Sequence, residues 1–380
     1  MGFSELIGNG ETVRQLRDAL AADRLPHALL LGGPRGIGKY TLALMLAQAA
    51  NCLTPPPTPD GLPDFCGTCA NCHRIAQGAP LRDRVAEAVA TREEMRDVDK
   101  RDTRILIQAH PDVLVIPPDP PQLLIKIGQV RTVIREVHRL PVEGQRSFYI
   151  FTSSAFMKEA ANSLLKVLEE PPPHATLMIL SANPQELLPT IRSRTAAFTL
   201  GRVPDAEITG LLAERRPELK AAERELCARM SDGSPGAALG FDVVRYRESR
   251  DAAMIVLRTA LKDPDYSTLF RMTETFRAGA EGQEKTTALL RSLASLLRDL
   301  LLLQSGQPAM VRNLDLAREL QTLSSNASFF WIEHAMQALD SVETGMRRNL
   351  LRSLSLDAMV ASLGTASAML DDSILSNESG

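Results

Sequence analysis

Over the first 200 residues, short apolar runs alternate with stretches whose apolar residues recur every three or four positions. Runs of this kind, separated by helical periodicity, mark strands of a parallel sheet covered on both faces. Residues 27–31, 113–116, 147–151, 176–181 and 196–200 are predicted as strands, and 40–50, 127–140 and 155–168 as helices between them. The prediction is a doubly wound α/β core over 1–200. After Arg202 the strand signal stops and helical periodicity takes over. A small helical unit over 201–242 closes on Gly233-Ser234-Pro235-Gly236, and long amphipathic helices fill 243–380. The clearest spans 285–304, with Leu289, Leu293, Leu296, Leu297 and Leu300 on one stripe that Leu301, Leu302 and Leu303 widen. Such a helix buries its face in a helical core or against another subunit, and the core is the plainer expectation.

Two segments interrupt the α/β pattern, and neither reads as core. One, 51–78, is rich in Pro and Cys; the other, 82–104, carries seven basic and seven acidic residues and reads as a solvated helix or mobile insertion. At 380 residues, 44% hydrophobic and 23% charged, the chain has enough apolar material for two or three domains. A net charge of −3 gives no global attraction to a polyanion, so contact with DNA has to come from a local patch or from partners. The N-terminal stretch lacks the pattern of a signal peptide, and no apolar run approaches the roughly 18 residues that span a bilayer. A soluble, cytoplasmic protein is expected.

Gly33-Pro34-Arg35-Gly36-Ile37-Gly38-Lys39 follows a predicted strand and opens a predicted helix. In that context Gly33, Gly36 and Gly38 let backbone N–H groups cradle phosphates while Lys39 reaches them. The next position should carry Ser or Thr to ligate Mg²⁺, but it is Tyr40, whose phenol is too long. Thr41 does not substitute, because one residue along a helix turns the side chain by about 100°. The second predicted metal-holding strand, 147–151, runs into Thr152-Ser153-Ser154-Ala155 with no carboxylate. With hydroxyl ligand and acidic pair both missing, no Mg²⁺ site and no hydrolysis of its own are expected. The phosphate cradle for ATP remains, since Gly38 and Lys39 are intact.

Cys66, Cys69 and Cys72, with Cys52 upstream across the Pro-rich loop, supply four thiolates, enough for a closed tetrahedral Zn²⁺ site. Their close spacing in one stretch suits a metal in a reducing compartment better than disulfides. The three close cysteines also match part of an iron–sulfur run, and His73 is an alternative ligand. A zinc knuckle that binds nucleic acid directly is a further reading, although 51–78 offers only Arg74 and Phe65 for it. Cys227 stands apart and reads as a small core residue.

Asn162-Ser163-Leu164-Leu165-Lys166-Val167-Leu168-Glu169-Glu170-Pro171-Pro172 and the later Leu188-Pro189-Thr190-Ile191-Arg192-Ser193-Arg194-Thr195 resemble the AAA+ subunits of bacterial sliding-clamp loaders. The likeness runs in order along the chain, from Leu6-Ile7-Gly8 through the phosphate loop and cysteines to Gly233-Ser234-Pro235-Gly236-Ala237-Ala238-Leu239 and a helical C-terminal third. The resemblance implies an AAA+ core, a helical lid (201–242) and a collar domain (243–380) in a pentameric loader of DNA polymerase III, with gamma/tau and delta subunits as partners. The sliding clamp and primed DNA are implied through the complex. The missing acids fit a non-hydrolysing member better than the gamma/tau ATPase, and Pro235-Gly236 stand near where the family's ATPases carry a sensor arginine. The alternative is a gamma/tau-like ATPase that recruits a metal ligand from elsewhere. The family's Ser-Arg-Cys motif appears as Ser193-Arg194-Thr195, which makes Arg194 an arginine finger acting in trans on a neighbour's γ-phosphate. Clamp-loader subunits carry the cysteine module, which implies structural zinc held by Cys52, Cys66, Cys69 and Cys72. Without the likeness, Arg192 and Arg194 read as surface ion pairs.

Overall fold

The structure is a computed structural model that describes residues 2–262, 266–276, 279–347 and 352–377. The chain divides into two compact units, Met1–Lys220 with Ser231–Gly240 and Ala221–Met230 with Phe241–Gly380.

The first unit is built on six strands: β1 (Ala28–Gly32), β2 (Ile107–His110), β3 (Val113–Ile116), β4 (Ser147–Phe151), β5 (Ala175–Ser181) and β6 (Ala196–Thr199). They lie in the order β2-β3-β4-β5-β1-β6, with only β2 antiparallel to its neighbour. β1, β3, β4 and β5 are buried at every position, because helices cover both faces. Leu30, Leu114, Ile116, Tyr149, Phe151, Leu177 and Ile179 share one core cluster with α6 (Ile127–Glu136), α7 (Lys158–Glu169) and α8 (Pro189–Arg192). Helices α1 (Gly10–Ala21), α2 (Lys39–Asn51) and α3 (Ala70–Ala76) pack in sequence elsewhere in the unit. The register places Gly32 beside Ser181 and Thr199, and Phe151 beside Ile179, so the ends of β1, β4 and β5 meet at one edge.

The parallel α/β prediction holds, with three local corrections. β2 was not foreseen; its four residues follow the burial pattern of an edge strand and shift register between Gln108 and His110. The helix expected over 127–140 stops at Glu136; a tighter turn follows, in which Arg139 N–H donates to Glu136 O (3.0 Å), ahead of Pro141, which has no N–H to continue a helix. The helix expected from Ala155 begins only at Lys158, because Ile125 N–H donates to Ala155 O (2.8 Å) and Met157 N–H to Ile125 O (3.0 Å), which holds 155–157 extended.

The Pro- and Cys-rich segment is more ordered than its composition suggests, and the charged one takes the solvated helical form expected of it. In the Pro- and Cys-rich stretch, Phe65 is 3% exposed against Phe3, their rings 5.8 Å apart and edge-on. Arg17 of α1 pins the loop through Asp60 (2.7 and 3.2 Å), Pro63 O and Leu62 O. The charged stretch forms α4 (Leu81–Glu93) and α5 (Asp97–Asp102). No residue of α4 is buried, yet Arg92 anchors it to the buried Asp119 at 2.6 Å, with Lys126 at 3.2 Å on the same oxygen.

Of the small helices after β6, α9 (Asp205–Arg215) and α11 (Pro235–Leu239) belong to the first unit and α10 (Ala221–Met230), which buries Cys227, to the second. The second unit is all helical: α12 (Val243–Leu261), α13 (Tyr266–Glu274), α14 (Gly279–Gln304), α15 (Ala317–Ser324), α16 (Phe329–Arg347) and α17 (Arg352–Asn377). The α14 leucine stripe lies in its core with Trp331, whose indole donates to Leu363 O at 3.0 Å. Buried Asp299 on the same helix accepts from Arg312 N–H, Asn313 N–H and Asn313 Nδ2 at 2.8–2.9 Å, so its charge is fully hydrogen-bonded. No described helix is long and apolar enough to cross a membrane.

Candidate functional site

The phosphate loop leaves β1 and turns back over the sheet edge into α2. Gly33 and Gly36 adopt φ of +140° and +75°, values that side chains rarely tolerate. At Gly33 a Cβ would also lie 2.4 Å from Leu200 O. Lys39 opens α2 and folds over the loop, donating to Gly33 O and Pro34 O at 2.6 Å each. Burial first, and the neighbouring Arg35 charge second, pull its ammonium down to about 8. A bound anion at this spot would supply the countercharge the amine lacks.

Tyr40 does not face the phosphate position. Its hydroxyl donates to Gly78 O at 2.6 Å, just beyond α3, and burial pushes the phenol's pKa up, so it stays neutral. Beyond β4, Thr152 N–H continues the ladder to Ile116 O, and Ser154 Oγ sits 2.8 Å from Ser181 Oγ at the end of β5. Hydroxyls, not carboxylates, therefore follow the strand ends beside the loop. From the far end of the unit, Ser234 Oγ donates to Arg35 O (2.9 Å) and Gly236 N–H to Gly36 O (2.9 Å). A Cβ on Gly36 would meet Ser234 Oγ at 2.5 Å, and one on Gly236 would meet Gly36 O at 2.9 Å, so the two glycines permit this crossing. Sequence reasoning did not find it, although the paired glycines in two separate loops were its signal.

The cysteine module grows from the other end of α2. Cys52 caps α2, Cys69 precedes α3 and Cys72 lies within it. The four sulfurs of Cys52, Cys66, Cys69 and Cys72 all lie within 4.8 Å of one another, with Cys52 at 3.6 Å from Cys66 and 4.0 Å from Cys69. Sulfurs around a tetrahedral Zn²⁺ at about 2.3 Å stand about 3.8 Å apart, so the donor set fits a metal ion. Thr54 Oγ1 and the N–H groups of Thr68 and Cys69 donate to Cys66 Sγ, and they draw that thiol down to about 5. Burial pushes Cys72 the other way. His73 is exposed and outside the cluster. The module is stitched to α2 along its length: Tyr40 to Gly78 O, Gln48 Nε2 to Cys72 O (3.0 Å) and Asn71 Nδ2 to Asn51 O (3.0 Å).

Arg194 lies between α8 and β6 and is exposed. Its Nη2 stands 2.9 Å from Glu169 Oε1 at the end of α7, and its Nη1 donates to Thr190 O at 3.0 Å. Arg192 instead bonds to Gln185 Oε1. Phosphate loop, cysteine cluster and Arg194 all belong to the first unit. The first two are joined through α2.

A family model described as DNA polymerase III, delta subunit, matches residues 8–82 and 83–204. The DNA polymerase III subunit gamma/tau of Mycobacterium tuberculosis is 29% identical over 212 residues, 56% of this chain and 30% of that protein. The delta' subunit of Bacillus subtilis is 32% identical over 183 residues, 48% of this chain and 44% of that protein. The matched stretch thus spans less than half the length of either relative. Among solved structures, a DNA polymerase III gamma subunit-related protein from Thermotoga maritima aligns over 94% of this chain and 99% of its own, at 18% identity and a TM-score of 0.45.

Proposed function

The chain belongs to the DNA polymerase III delta-subunit family, and on that premise we propose that it is a delta-prime-type subunit of a sliding-clamp loader that does not hydrolyse ATP itself. In this reading it presents Arg194 to a nucleotide held by a neighbouring gamma/tau-type subunit. Together with a delta-type subunit, the assembly places the sliding clamp on primed DNA during replication, in the cytoplasm. Residues 201–242 serve as its lid, and 243–380 join the collar.

One observation carries the reading: the residue after Lys39, where a metal-ligating hydroxyl belongs, is a tyrosine tied to Gly78 O. The serines and threonine after β4 supply no carboxylate to compensate. Without a held Mg²⁺ and a group to orient water, transferring a phosphoryl group has no electrostatic support. Gly33, Gly36, Gly38 and Lys39 keep the phosphate cradle, which serves binding or shape rather than turnover. An arginine is suited to the opposite role, since its planar fork and permanent charge stabilise phosphoryl transfer in a neighbouring site.

Zinc is the metal proposed for Cys52, Cys66, Cys69 and Cys72. Four thiolates leave no open coordination position, so the ion's contribution is to hold the fold of 51–78. The residues then brace α2 and the phosphate loop through Gln48, Asn51 and Tyr40.

The test is ATP turnover by the purified chain with Mg²⁺. The proposal expects none above background, in the wild type and in Lys39→Ala alike. Appreciable turnover that Lys39→Ala abolishes refutes it and supports a hydrolysing, gamma/tau-like subunit.

A further inference from the structure

The two segments that carry the family likeness, 162–172 and 188–195, are joined in space by one ion pair. Glu169 is the last residue of α7, and its Oε1 lies 2.9 Å from Arg194 Nη2. On the same guanidinium, Nη1 donates to Thr190 O at 3.0 Å and lies 3.4 Å from Ser193 Oγ. A carboxylate at a helix C-terminus sits at the negative end of the helix dipole, and Glu170 adds a second negative charge there. The position therefore attracts a cation. Arg194 answers that demand from outside the helix, while both partners keep solvent contact, 37% for Arg194 and 51% for Glu169.

We infer that Glu169 parks Arg194 in the chain on its own and competes with a neighbour's nucleotide for it. The inference rests on the reading of Arg194 as a group acting in trans, and it makes Glu169 a positioning residue. A guanidinium committed to Glu169 has to exchange that carboxylate for phosphate oxygens before it can act. The exchange favours a seated γ-phosphate, which offers more charge and a bidentate partner. An exposed ion pair biases such an equilibrium by no more than about fivefold. That is enough to restrain firing in a loosely seated assembly and too little to oppose it in a closed one. Salt weakens the parking, because both charges face solvent.

The experiment reconstitutes the full loader with wild-type chain, Glu169→Gln, Arg194→Ala and the double variant, and follows ATP hydrolysis before and after clamp and primed DNA are added. Glu169→Gln is expected to raise the unstimulated rate about two- to fivefold at low salt, with the gain fading as salt increases. The stimulated rate stays within about twofold of wild type, since the closed assembly has already overcome the parking. The double variant matches Arg194→Ala. Glu169→Asp, which keeps the charge and shortens the arm, falls between wild type and Glu169→Gln. If Arg194→Ala matches wild type throughout, Arg194 is no finger and this inference falls with that reading. If Arg194→Ala lowers the rate but Glu169→Gln matches wild type at low salt, the finger stands and the parking is refuted. Glu169→Gln falling to the Arg194→Ala level also refutes parking, since Glu169 would then hold the arginine in its firing position.

Discussion

Replacing Asn51 by alanine tests how the cysteine module is coupled to the sheet. Asn51 closes α2 at 2% exposure. Its Oδ1 accepts the N–H of Gln145 (2.8 Å) and of Arg146 (3.0 Å), and its Nδ2 donates to Arg146 O (2.9 Å). These bonds set the chain's path into β4. Truncation removes all three while leaving Asn71's bond to Asn51 O in place. Each bond is worth about 0.5–1.5 kcal/mol net, more where a buried partner is left unpaired, so the total is about 2–4 kcal/mol. For a unit of this size that lowers the melting temperature by roughly 5–12 °C. Gly144→Ala should act alike, because a Cβ there would meet Asn51 Oδ1 at 2.4 Å. Calorimetry gives the shift, and hydrogen exchange read by mass spectrometry should show lost protection in peptides that span 145–146 and begin at least two residues before Gln145. A shift under about 1 °C with unchanged exchange at 145–146 refutes the coupling.

Four further outcomes follow from named contacts. With Lys39 held at about 8, its neutral fraction rises through pH 8, where about half is reactive, against about 0.4% for an ordinary lysine. Competitive acylation at pH 8 should therefore label Lys39 ahead of exposed Lys220, with ATP or phosphate slowing it; equal labelling contradicts the shifted pKa. Metal analysis should find one zinc per chain, lost in Cys66→Ser and kept in Cys227→Ser, which lies outside the cluster. Arg92→Ala removes the 2.6 Å bond to Asp119 and leaves that buried carboxylate to Lys126 alone. Trypsin should then cut within 81–104 about five- to 150-fold faster, the equivalent of about 1–3 kcal/mol, and unchanged cleavage means α4 is held by something else. Tyr40→Thr restores a metal-ligating hydroxyl but no carboxylate, so hydrolysis should remain at background, and measurable turnover would show that the acids are dispensable.

Five of the six strands were legible to within a residue: β1, β3, β4 and β5 because a strand buried on both faces is written as a continuous apolar run, and β6, which is not buried, from its short Ala-Ala-Phe stretch. β2 escaped because Gln108 and His110 interrupt its apolar run and its pairing depends on β3 across a turn. Helix boundaries at 136 and 158 depended on Pro141 and on the Ile125 bridge, and the second of these is a contact between segments. The cysteine cluster and the glycine-rich turn before α2 were legible because each is written within a short stretch of chain. Tyr40 was read in sequence as standing where a metal-ligating hydroxyl is expected, but its bond to Gly78 O was not visible there, nor was the Gly36–Gly236 crossing or the Glu169–Arg194 pair. Each joins residues that only the fold brings together. The charged stretch 82–104 is the solvated helix its composition suggested, with no residue of α4 buried; only the bond from Arg92 to the buried Asp119 was hidden, because the fold alone brings the two together.

The trans role of Arg194 is tested most directly by the single-turnover rate of ATP hydrolysis in the assembled loader, with clamp and primed DNA present and Arg194→Ala compared with wild type. Assembly should be intact by gel filtration, and the rate should fall by about 10³-fold, the scale of a missing arginine finger, with Arg194→Lys recovering only a small part. A rate within about twofold of wild type, far below the effect of a missing finger, contradicts it.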